Sequence, residues 1–148
     1  MRWRGDSGQV AGIEALPFGV LIFVVGALLV TNVWGVIDAK LAATSAAREA
    51  ARAFVEAPDA PAADDSAARA ASEAIAAHGR SPDRLVLDRL AGTFTRCERV
   101  TFQASYPVPA IALPWIGGLG EMFTASARHS EIVDPFRSGL EGTASCVP

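Results

Sequence analysis

From Ala15 to Ile37 the chain carries no charged residue (ALPFGVLIFVVGALLVTNVWGVI), and this run limits the folding options more than any other feature. As a helix rising 1.5 Å per residue it is roughly 35 Å long, enough to cross about 30 Å of hydrocarbon with a little tilt. A chain of 148 residues has little core in which to hide such a rod. The run therefore predicts a transmembrane helix. Arg2 and Arg4 precede it, whereas Asp38 follows it directly and Lys40 is the chain's single lysine. That asymmetry puts the N-terminus in the cytoplasm, although Asp6 and Glu14 share its side. Trp34 suits the far interface.

A cleaved secretory signal also begins with basic residues and an apolar stretch, but its apolar region is shorter and ends in small residues at a cleavage site. Here the run passes without a turn signal into DAKLAATSAAREAARAFVEA, whose alanine, leucine, arginine and glutamate favour helix. The reading is an uncleaved anchor. Residues 1–12 form a cytoplasmic segment, 13–57 one helix continuing into a stalk, and 58–148 a small extracytoplasmic domain. Pro58 and Pro61 forbid a regular continuation of the helix. Pro17 falls in the first turns, where it either kinks the helix or occupies a tolerated early position.

Two features of the helix bear on association. Gly12, Gly19 and Gly26 recur at intervals close to two helical turns and so lie along one side. A strip of small residues lets two membrane helices approach closely; equally, glycine is simply frequent in such helices. Glu14 stands at the mouth of the run. A carboxylate there stays among headgroups or meets a positive partner, such as a neighbouring subunit's N-terminus, because unpaired entry into lipid costs a few kcal/mol.

The stretch RGDSGQVAGIEALPFGVLIFVVGALLVTNVWG, followed by AATSAAREAARA, resembles the N-terminal region of TadE-like proteins, pilin-like components of tight-adherence (Flp-type) pilus assembly systems. Arg2 and Arg4, Gly8, Glu14, the run to Ile37 and Ala46 to Ala53 carry the likeness, with SYPVP at Ser105 to Pro109 extending it along most of the chain. The resemblance implies an assembly role, with other pilus or secretion subunits recruited through the N-terminal helix as homo- or hetero-oligomers. In pilin-like proteins four residues separate the processing glycine from the glutamate. Five separate Gly8 from Glu14, so either a cut follows Gln9 or no cut occurs.

The rest of the chain predicts an α+β fold, one helix and about three antiparallel strands. PDAPAA at Pro58 to Ala63 reads as a linker, with Asp64, Asp65 and Ser66 starting a second helix that Gly79 stops. Ala71, Ala74, Ile75 and His78 form its less polar face. Leu85 to Leu87 suggest a first strand. Val100, Phe102, Ala104 and Tyr106 alternate with Thr101, Gln103 and Ser105 in a second, and Met122 to Val133 alternates in a third with Phe123, Ala125 and Ala127 on one side. The apolar but proline- and glycine-broken loop PVPAIALPWIGGLG, with Trp115 and Ile116, either caps the sheet or contacts a subunit or headgroups. Cys97 and Cys146, an even pair on the predicted outer side, suit one disulfide closing a loop of about fifty residues.

Nothing in the sequence points to catalysis. A net charge of -3 disfavours nucleic acid as a partner. His78 and His129 lack ligands at metal spacing, no phosphate loop or nucleophile elbow appears, and no cofactor is implied. Arg137, in the turn after the last strand, is expected to pair with a domain acid. The leading reading is a non-enzymatic membrane protein that acts by association, its partners being membrane lipid and machinery subunits. The alternative is a single-pass anchored binding or sensing module using the Trp115 loop.

Overall fold

The computed structural model describes residues 11–108 and 123–146, with side chains from residue 15 onward. Its elements are α1 (Ala11–Glu56), α2 (Ala60–Ala77), a short turn of 3-10 helix at Pro82–Arg84, and strands β1 (Val86–Ala91), β2 (Arg99–Val108) and β3 (Phe123–Ile132). The strands make one antiparallel sheet in the order β1-β2-β3. The α+β class and the long first helix are as the sequence predicts. The chain divides into two compact units, one ending at Gly35 and the other beginning at Val36.

In the second unit α1 changes character. Ala39, Ala42, Ala43, Ala46, Ala47, Ala50 and Ala51 are fully buried, and Phe54 nearly so. The i, i+3, i+4 spacing puts them on one stripe, as an amphipathic helix requires. This part of α1, read from sequence as a stalk, thus supplies much of the domain's core. From Ala42 on, this stripe shares one cluster with Ala63, Ala67, Ala71, Ala74 and Ile75 from α2 and Val100, Phe102, Ala104 and Tyr106 from β2, while Ala39 packs separately with Val108 and Ala125. Alanine lets the layers approach closely but buries little area per residue, so the few large side chains carry most of the burial energy. Phe54 is the largest fully buried one; its ring meets Phe94 edge-on at 5.6 Å and Phe102 at 5.4 Å. Such a ring contributes roughly 3 kcal/mol by burial, with about 1 kcal/mol more from ring geometry.

The second helix starts earlier than the sequence suggested. Asp59, not Asp64, is its N-cap, and the Asp59 carboxylate accepts from the Ala62 amide at 2.9 Å. Pro61 lies in the first turn, where no intrahelical N–H is needed, so PDAPAA is largely helix rather than linker. At the other end His78 is the C-cap and is exposed, which removes it from the buried face. Gly79 follows at φ +69°, its amide donating to Ala76 O at 2.8 Å and that of Arg80 to Ile75 O at 3.2 Å. These paired bonds close the helix in the manner a left-handed glycine permits.

The sheet has one covered and one solvated face. Val100, Phe102, Ala104, Tyr106 and Val108 are buried along β2, and Ala125 and Ala127 extend that face on β3. On the other face Thr101 bonds Ser130 at 2.9 Å, and Arg128 donates to Gln103 Oε1 at 2.6 Å. Each edge strand carries one feature that opposes further pairing. The β1–β2 register is broken by an irregularity between Arg89 and Ala91, and Lys40 Nζ donates to the Ser126 carbonyl of β3. Bulges and lysines are devices that keep an edge from templating another strand. Gly92, at φ +88°, ends β1 against β2: a Cβ there would stand 2.5 Å from Arg99 O, so only glycine fits.

Arginines roof this alanine-rich core. The guanidinium carbons of Arg80 and Arg84 lie 5.2 and 5.6 Å from the Tyr106 ring centre, Arg89 lies 5.2 Å from Phe54, and Arg137 lies 5.5 Å from Phe94. Each also has polar work. Arg80 pairs with Asp38 of α1 at 2.7 Å, and Arg89 ties β1 to Asp64 of α2 at 3.3 Å. Arg137 departs from the expected pairing with an acid: it donates to Val55 O at 2.8 Å and to Ala57 O, two carbonyls at the C-terminal end of α1. Those carbonyls have no intrahelical donor, and the end of α1 has no basic residue of its own. Cys97 and Cys146 are disulfide-bonded, their Cα atoms 5.1 Å apart. Together with Arg96 N–H donating to Glu141 O and Cys97 N–H to Val133 O, both at 3.1 Å, the bridge fixes the C-terminal segment that carries Arg137.

Candidate functional site

Among the described side chains of the first unit, α1 is apolar and uncovered all round. The consecutive residues Val20 to Val25 are each at least 46% exposed, and since six residues span more than a helical turn, every side of the helix is included. Leu16, Phe18, Leu29, Val30, Val33 and Trp34 are exposed as well. Contiguous exposed apolar surface of this kind marks a contact surface. The two polar side chains near the end of the run turn inward on the helix, Thr31 Oγ1 donating to Ala27 O and Asn32 Nδ2 to Leu28 O, both at 2.8 Å. Both side-chain donors thus find acceptors on the helix's own backbone.

Of the residues singled out for assembly, Gly19 and Gly26 lie on this helix, and a Cβ built at either would meet nothing within 4 Å. No packing within the described chain explains why they are glycines. Gly12 and Glu14 fall in the first turns of α1, their side chains outside the described set. Gly8, Gln9, Trp115 and Ile116 lie outside the described residues. Of the two histidines, His129 Nε2 lies 2.9 Å from Glu131 Oε1 on β3, an isolated pair; among the described residues no three potential ligands gather at metal spacing.

Where the run ends the chemistry changes within one helical turn. Asp38 is engaged by Arg80, Ala39 is buried, and Lys40 reaches to β3. Between this turn and the start of β3 lies an open groove of about 390 Å³, lined by Val36, Ile37, Lys40, Leu41, Thr124, Ala125 and Ser126. Sequence reasoning missed both Arg80 and the groove. Arg80 gave a faint signal, following the glycine that stops α2; the groove gave none, since its two sides lie far apart along the chain.

No family model matches the chain, and neither a curated protein nor a solved structure matches it.

Proposed function

We propose that the protein is a single-pass membrane protein whose helix α1 anchors the α+β domain on the outer side of the cell membrane, and that it serves there as a pilin-like assembly component of the tight-adherence type. The anchor reading rests on the uncovered apolar circumference of α1 from Leu16 to Trp34. In water that surface would drive aggregation; in a bilayer it is matched to its solvent, and the helix satisfies its own backbone. The Cys97–Cys146 bridge supports an oxidising compartment for the domain, and Arg2 and Arg4 favour retention of the N-terminus in the cytoplasm.

The pilus context comes from the TadE-like resemblance, and the fold gives one part of it a physical reason. Within AAREAARA, Ala46, Ala47, Ala50 and Ala51 are buried against the domain while Arg48 and Arg52 face outward, so the small residues are what the close packing of α1 demands. Function follows from association: the helices of neighbouring subunits pack side by side, Gly19 and Gly26 offering close approach and Glu14 a charge to be neutralised on assembly.

Alkaline carbonate extraction tests the anchor, which predicts that full-length protein stays with the membrane pellet; release of the intact chain refutes it. Glu14→Ala tests the assembly role. The variant should reach the membrane in native amount yet fail to co-purify with the machinery, and equal recovery with the machinery would rule out an essential pairing role for the carboxylate.

A further inference from the structure

The groove at the end of the run joins three chemistries that one amphiphile satisfies together. Val36, Ile37, Leu41 and Ala125 line it with hydrocarbon, Thr124 and Ser126 contribute polar groups, and Lys40 contributes a positive charge. Its volume of about 390 Å³ falls in the range of small-molecule sites. The helical turn that forms one wall is patterned inside out. Ala39 is fully buried, whereas Ile37 and Leu41 are 49% and 58% exposed. A domain built to face water on this side would do the reverse.

We infer that this groove is a lipid site, taking an acyl chain of an anionic phospholipid against Ile37, Leu41 and Ala125 with the phosphate at Lys40. The inference rests on the anchored reading of α1, which brings Val36 and Ile37, the last residues of the run, to the headgroup layer. Lys40 is held at the groove by its bond to the Ser126 carbonyl. An ammonium has three donors, so that bond leaves it able to meet a phosphate oxygen too. Charge selects lipid over a second copy of the chain, because two copies meeting about a two-fold axis here would set Lys40 against Lys40.

Native mass spectrometry of the full-length protein in mild detergent, titrated with phosphatidylglycerol or phosphatidylcholine of matched chains, tests the site. The native protein should retain phosphatidylglycerol about fivefold better, the size of one lysine's interaction with an anionic surface. Lys40→Gln should bring the two lipids to parity, and Leu41→Glu, at an exposed position, should release both. Equal retention of the two lipids by native protein, an undiminished preference in Lys40→Gln, or native retention by Leu41→Glu would each overturn the site. Dimers that Leu41→Glu dissolves, without lipid preference in the native protein, would overturn it in favour of a second copy. An intact Cys97–Cys146 bridge in the variants reports that the domain is folded. Carbonate extraction of the same membranes separates the two readings: release of the full chain removes the anchor and the lipid site together, whereas retention without lipid preference removes the groove alone.

Discussion

Replacing Arg137 should cost the domain several interactions at once. Arg137 is half-buried and serves three ends at once: donors to Val55 O and Ala57 O, a positive charge at the negative end of α1, and a flat cover on Phe94. Hydrogen bonds from a charged group contribute about 1.5–3 kcal/mol, a charge at a helix terminus about 0.3–1, and a guanidinium over a ring about 0.5–1. One side chain makes all three, so they overlap, and Arg137→Ala is expected to cost about 3 kcal/mol. Arg137→Lys keeps the charge but not the fork and should cost about half of that. Arg137→Met keeps the apolar stem and some cover on Phe94 yet leaves both carbonyls without their donor, and should cost about 2 kcal/mol. Pulse proteolysis of the full-length protein in mild detergent over a urea series reads the unfolding midpoint of the domain. With a slope of about 1.5 kcal/mol per molar, Arg137→Ala should lower that midpoint by about 2 M. The decisive variant is Arg137→Met. If its midpoint matches that of the native protein, the carbonyls do not depend on the guanidinium and the capping argument fails.

The same assay bears on the core and the bridge. Phe54→Ala opens a cavity between Phe94 and Phe102 and should cost about 4 kcal/mol, leaving the domain protease-sensitive without denaturant; a loss under about 1 kcal/mol would show that the alanine layers collapse into the space. Cys146→Ser removes a crosslink spanning 49 residues, which the chain-entropy model values at about 4 kcal/mol, and reductant should bring native protein to the midpoint of the variant while leaving the variant unmoved. Gly19→Leu with Gly26→Leu should leave the domain's midpoint within about 0.5 kcal/mol, since both positions are open, but should reduce crosslinking between neighbouring subunits in the membrane; undiminished crosslinking would remove the glycine strip from the assembly surface.

What the sequence made legible was whatever repeats with the period of one element. The uncharged run and the alternation along β2 each announce themselves locally, whereas the alanine stripe from Ala39 to Ala51 reads as a stalk because alanine marks helix without marking which face is covered. Errors arose where two signals competed. Asp64, Asp65 and Ser66 are good helix starters, but Asp59 followed by Pro61 is a complete start as well, and the earlier one wins because it adds Ala63 to the buried face. Strand β1 was only half visible because Asp88 and Arg89 resemble a loop until Gln103 and Phe102 stand beside them. The contacts of Arg137 were beyond reach for another reason: its acceptors are main-chain carbonyls, and those have no letter in a sequence. The groove shares that limit, since Val36 to Leu41 and Thr124 to Ser126 meet only through the fold.

The two edge features have a consequence if, as proposed, α1 holds the domain at a bilayer. Confinement to two dimensions crowds identical subunits at high local concentration, the condition under which bare strands zip into fibres. With the register break in β1 and the ammonium of Lys40 on β3, strand pairing between crowded copies is opposed at both edges, which under the proposed anchored reading favours contacts made by side chains rather than main chains.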